Sequence, residues 1–185
     1  PYPNYATDNM PMLLAVLSKV SGKSQIEETI FSNRFMAAPE LSRMGADIKI
    51  VNQTLVCNEE SADLIVKSSD LHGIEVPEEI IPNIIDEIPI LSIAAAFSKG
   101  TTIIKNASEL RVKESDRLNA ISEGLIKLKI KHDILDDGIS ITGTSKEIRC
   151  DELINSFDDH RIAMSFLISG VRSENCVRVK NCKNI

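Results

Sequence analysis

Aromatic residues are scarce: the 185-residue chain has no tryptophan, two tyrosines and five phenylalanines. With 21 Lys+Arg against 27 Asp+Glu, a formal net charge of −6 and no basic block, it lacks the rings and positive stripe of a surface that coats RNA or DNA. No apolar run approaches the roughly 18 residues that cross a bilayer, and the opening PYPNYATDNM is not a charged segment followed by an apolar one. A soluble, cytoplasmic protein with no nucleic-acid and no membrane partner is expected. Cysteine is sparse as well. Cys57, Cys150, Cys176 and Cys182 form no CxxC pair, so neither a zinc site nor a disulfide framework is indicated, and reduced, mostly packed thiols are expected. There is no P-loop, GxGxxG, GxSxG or HExxH, which leaves nucleotide hydrolysis, nicotinamide binding, serine esterase and zinc protease chemistry without support.

What is present is organised by a repeat. The 43% of apolar residues suffice for the core of one compact domain. The chain begins at Pro1 rather than Met, and it reads as a portion of something longer. Asp8-Pro11-Leu13-Gly22-Ile26 aligns without a gap on Asp86-Pro89-Leu91-Gly100-Ile104. Each Asp opens an apolar stretch that reads as a buried helix with an acidic cap. A short β-rich run follows each Gly (SQIEETI, TTIIKNA), then a second helix (APELSRMGA, DRLNAISEGLIKL) and two strands. The strands are ADIKIV and TLVCN in the first copy, and KHDILD and GISITG in the second, the latter joined at Asp137-Gly138. A third, shortened copy starts at Asp159 with DHRIAMSFLISG, the turn RSEN and the strand CVRVKNC. The reading is α+β: residues 1–185 as a single pseudo-threefold domain of three repeats, about 1–76, 77–150 and a truncated 151–185. Short linkers fall at Val76 to Pro82 and Thr144 to Asp151.

Three clusters could carry chemistry. An Asp stands at each helix start (Asp8, Asp86, Asp159); taken singly each is an ordinary N-cap, but stacked repeats would gather helix N-termini at one end, where an anion is favoured. RVKESDR crowds Arg111, Lys113, Glu114 and Arg117 at a helix entry, with Ser115 or Asp116 able to cap it. This is either a solvated helix start or an anion site, since cations there oppose the helix dipole unless an anion lies between them. DDHR sets His160 and Arg161 at the matching position of the third copy. Together these residues make a phosphate or carboxylate clamp with acid–base groups.

The run IIDEIPILSIAAAFSKGTTIIKNASELRVKESDRL and the later DDHRIAMSF resemble the C-terminal half of the 5-enolpyruvylshikimate-3-phosphate synthase family, from about Ala62 to Ile185. The first fifty residues, with PYPNYATD and ETIFSNRFMAAPELSRMGADI, resemble the sister family of UDP-N-acetylglucosamine enolpyruvyl transferases. The resemblance implies one domain of an inside-out α/β barrel with pseudo-threefold βαβαββ repeats. It further implies transfer of the enolpyruvyl group of phosphoenolpyruvate to the 5-hydroxyl of shikimate 3-phosphate, with neither cofactor nor metal. In that scheme Asp86 and Glu114 are the catalytic carboxylates, Asp86 also binding substrate, while Lys113, Arg117, His160 and Arg161 hold the anionic substrates. On the sister pattern, Asp8 and Arg34 are the residues to carry over. The shikimate family has a second domain, whose lysine–serine and glycine-rich segments have no counterpart here, so the chain alone is expected to lack turnover; the alternative is a non-catalytic remnant that keeps an anion site.

Overall fold

The computed structural model describes residues 6–28, 37–56 and 58–183. The chain forms two compact units, Pro1–Asp70 and Leu71–Ile185.

The first unit runs helix, strand, helix, strand, strand, as the repeat predicts. Helix α1 (Met10–Leu17) has a proline in its first turn, where a missing N–H costs nothing, and buries Met10, Met12, Leu14 and Ala15. After β1 (Lys23–Glu28) and α2 (Ala37–Arg43) come β2 (Asp47–Val56) and β3 (Glu59–Lys67), which form an antiparallel sheet in the order β1-β3-β2. Central strand β3 alternates as a half-buried strand should, with Ala62, Leu64 and Val66 inward. ADIKIV and TLVCN are not a pair of strands; most of both lies in β2, interrupted by a bulge between Val51 and Thr54, where Asn52 has φ 54° and its side chain bonds Asp63 at 2.6 Å. The pairing partner is the later EESADLIVK, which the polar residues at its start disguise.

The second unit contains the other two repeats. Residues 72–76 pair in parallel with the edge of β4 (Thr101–Ile104), through Gly73 N to Lys99 O at 2.7 Å and Val76 N to Ile103 O at 2.9 Å. Between them lie α3 (Ile81–Ile84) and α4 (Ile88–Ala96), so this segment, which the repeat spacing assigns to the first copy, supplies the leading strand of a βαβαββ unit. Helix α4 is buried on every side, as its unbroken apolar sequence requires. The repeat continues through α5 (Arg117–Lys127), β5 (Lys131–Leu135) and β6 (Gly138–Thr142), with sheet order β4-β6-β5. The β5–β6 loop is Asp136 and Asp137, and Gly138 already pairs with Leu135. Glycine is needed at 138 for close approach, because a Cβ there would overlap the carbonyl oxygen of Ile104. The third repeat is a parallel β7–α6–β8 crossover: Leu153–Asn155, His160–Ser169 and Arg178–Lys180.

Helices α4, α5 and α6 pack on one another in the centre of this unit. Where α5 meets α6, the ring of the fully buried Phe166 occupies the space that a Cβ on Gly124 would fill. Among the described residues no helix is long and apolar enough to cross a membrane. Cys150 is buried, and burial pushes its thiol pKa up, whereas Cys176 is exposed, against the expectation of packed thiols; Cys57 lies outside the described residues.

Candidate active site

The side chain of Arg117, the first residue of α5, is 1% exposed and meets three carboxylates. Its Nε donates to Asp159 Oδ2 at 2.8 Å, one terminal nitrogen donates to Asp86 Oδ1 at 2.8 Å, and the other donates to Glu114 Oε2 at 2.6 Å. The planar guanidinium fork suits such service, having five donors in fixed directions. Asp116 caps α5 by accepting from the Asn119 N–H at 3.1 Å, which leaves Ser115 to donate its hydroxyl to Asp159 at 3.1 Å.

Asp159 is completely buried and has a double role. It is the N-cap of α6, accepting from the backbone N–H groups of Arg161 and Ile162, and it is the deepest partner of Arg117. The two residues before it, Phe157 and Asp158, have φ of 57° and 60°, a left-handed turn that costs non-glycine residues about 1–3 kcal/mol apiece. Local bonds hold that turn: the Phe157 N–H to Asn155 Oδ1 at 3.1 Å, and the Ser156 hydroxyl to the Asn181 carbonyl at 2.6 Å.

Asp86 lies in a 3₁₀ turn just ahead of α4 rather than at the cap of that helix, and Asp8 likewise lies in a 3₁₀ turn before α1, whereas Asp159 caps α6 with its side chain. Lys113 Nζ stands 3.5 Å from Asp86 and 2.7 Å from Glu109. Partial burial pushes the Asp86 pKa up, but the hydrogen bond from Arg117 and the charges of Lys113, Arg117 and Arg161 outweigh it, so the carboxyl is held below its ordinary range. The bond to Glu109 and the neighbouring Asp86 hold Lys113 above its ordinary range, against the opposing effect of burial. Burial also works against the charge of Arg117, and Asp159 foremost, with Glu114 and Asp86, reverses it.

Asp86, Lys113, Glu114 and Arg117 are thus in one cluster. Arg161 adjoins it through its charge at Asp86 and through an ion pair with Glu87 at 3.6 Å. His160 opens α6 beside Arg161, half-buried, with no hydrogen bond to the cluster among the described residues. Asp8 belongs to the first unit, and Arg34 lies outside the described residues. The excess of cations read from RVKESDR is balanced by the chain's own carboxylates. Of these, Glu87 and Glu109 were missing from the sequence-based clusters, and Asp159 was named there as a recurring helix start rather than as the partner of Arg117. Chemically, Asp86 and Glu114, with side chains 45% and 52% exposed, stand on the two ends of one buried guanidinium. Two such carboxylates can take and give protons at a bound molecule, while Lys113 and Arg161 supply positive charge for an anion.

The chain is similar to known proteins in sequence and in fold. The family model described as EPSP synthase (3-phosphoshikimate 1-carboxyvinyltransferase) matches residues 1–62 and 55–185. A 3-phosphoshikimate 1-carboxyvinyltransferase of Petrotoga mobilis is 52% identical over 149 residues, covering 78% of this chain and 34% of that protein. One of Coxiella burnetii is 44% identical over 145 residues, covering 78% of this chain and 32% of that protein. The solved EPSP synthase of Acinetobacter baumannii matches with a TM-score of 0.88 at 34% identity, covering 94% of this chain and 41% of that one. The enolpyruvyl transferase NikO of Streptomyces tendae, 17% identical with a TM-score of 0.62 over 95% of this chain and 38% of that one, shares the fold. The chain spans about a third of the length of these curated relatives.

Proposed function

This chain belongs to the EPSP synthase family, and from that premise we propose that it is one part of a 3-phosphoshikimate 1-carboxyvinyltransferase whose remaining length supplies the opposite wall of the active site. Phosphoenolpyruvate and shikimate 3-phosphate are the substrates. The 5-hydroxyl of shikimate 3-phosphate adds to C2 of phosphoenolpyruvate while a proton goes to C3; phosphate then leaves and the methyl group gives up a proton. The enolpyruvyl ether and inorganic phosphate result, and no oxidant or cofactor enters the balance.

In this reading Asp86, held ionised by its cationic neighbours, accepts the hydroxyl proton, and Glu114 serves the methylene carbon as acid and then base. Lys113, Arg117, His160 and Arg161 hold the anionic groups. The three repeats form one domain of the two that close over substrate, in a cytoplasmic protein without nucleic-acid or membrane partners. The observation that carries the reading is the buried Arg117, which joins Asp86 and Glu114 side by side at the residues that the family motif marks.

The test supplies the chain with the rest of the family's length, as a fusion or a separate folded partner, and follows phosphate release from phosphoenolpyruvate plus shikimate 3-phosphate. Release is expected only from the completed enzyme, because one wall cannot exclude water from the reacting groups. A folded, completed enzyme that releases no phosphate overturns the reading.

A further inference from the structure

Glu87 follows Asp86 directly, yet it serves a different cation. The Asp86 side chain is 45% exposed and stands on Arg117 and Lys113, whereas that of Glu87 is 8% exposed, with Oε1 3.6 Å from a terminal nitrogen of Arg161. A carboxylate placed so deeply is costly unless a cation stands against it, and the side chain of Arg161, itself only 6% exposed, is such a cation. Arg161 has the converse need. It lies in the first turn of α6, where the helix dipole disfavours positive charge. Glu87 occupies the N-cap position of α4 but makes no capping bond with its side chain.

We propose that Glu87 is a positioning residue for substrate binding: its ionised carboxylate balances and orients the guanidinium of Arg161, and thereby aims that guanidinium at the phosphate or carboxylate of phosphoenolpyruvate. A guanidinium carries five N–H donors, so it can be anchored and bind an anion at the same time. Two consecutive carboxylates then divide the work, the half-exposed Asp86 facing the reacting hydroxyl and the buried Glu87 fixing a cation. The proposal rests on the reading of Arg161 as a substrate-holding residue.

In the completed enzyme, Glu87→Gln keeps the shape and removes the charge. It is expected to raise the KM for phosphoenolpyruvate about tenfold, with the KM for shikimate 3-phosphate unchanged and kcat within about twofold. In an Arg161→Lys background the same substitution should have much less effect, since Glu87 acts through Arg161. A purely structural role would lower the amount of active enzyme and leave both KM values alone. An unchanged KM for phosphoenolpyruvate, an equal rise for both substrates, or full additivity with Arg161→Lys overturns the proposal. If Glu87→Gln does not fold, Glu87→Asp gives the readout, because it keeps the charge but withdraws it by one methylene: a KM for phosphoenolpyruvate raised at least about threefold supports the proposal and an unchanged one overturns it. An unsubstituted completed enzyme without phosphate release refutes the functional reading and this proposal with it. An active enzyme indifferent to Glu87 refutes this proposal alone.

Discussion

Arg117 is buried and joins three carboxylates from three different parts of the chain. Removing it leaves Asp159, with no exposed surface, facing Ser115 and the α6 amides without its cation. Uncompensated buried charges of this kind cost about 3–5 kcal/mol, so Arg117→Met should lose that much in urea denaturation, and a loss below about 1 kcal/mol would contradict the burial of the pair. Arg117→Lys should fall between, because an ammonium cannot span three carboxylates from one position. Asp86 contributes a pH dependence. Its pKa in the folded chain lies below the ordinary value, so its stabilising effect is complete above about pH 4 and vanishes as the pH falls through the lowered folded value. Asp86→Asn should therefore be less stable than the parent chain at neutral pH, with the gap closing in acid; a gap that widens in acid would reverse the assignment. At this scale the sequence was informative about residue types and poor about partners. RVKESDR and DHR located the cations, and the recurrence of Asp at helix starts singled out Asp159, but only burial reveals it as the anchor of Arg117.

The elements were legible where the pattern is local. The order helix, strand, helix, strand, strand follows from apolar periodicity and from the Asp-to-Gly spacing, and it holds in both full repeats. It failed at β3, whose first residues are polar, and at residues 72–76, whose pairing depends on a distant edge, His72 facing Lys99 and Glu75 facing Ile103. The α5–α6 crossing is a further contact that no local pattern reveals. In an exposed helix an alanine at position 124 would add stability, but here its Cβ would overlap the Phe166 ring. Gly124→Ala is expected to destabilise the chain by about 1–3 kcal/mol, read as a lower Tm, and Phe166→Leu should relieve part of the strain. A higher Tm for Gly124→Ala would mean that α5 and α6 are not so close. Since Arg117 and Arg161 stand at the starts of these two helices, the crossing also sets the spacing of the cations.

For the whole molecule, the share of relatives' length is what decides the expected behaviour. The chain covers 34% of the length of the Petrotoga relative, and in the proposed reading its carboxylates and cations line one wall of the site. Alone it should show weak binding of phosphoenolpyruvate in calorimetry and no turnover; measurable phosphate release from the isolated chain would refute the need for a second wall. The net charge of −6 is a poor guide to such a site, because the acidic average conceals the cluster of Lys113, Arg117 and Arg161. The sequence by itself determined the repeat, the α+β class, most elements and the residues that mark the family, because all of these are written in spacings within one stretch of chain. Only the tertiary structure decided which charges meet. Arg117 reaches Asp86 across 31 positions and Asp159 across 42, and such pairings arise when packed helices bring distant segments together at a depth where no charge is tolerated without its partner.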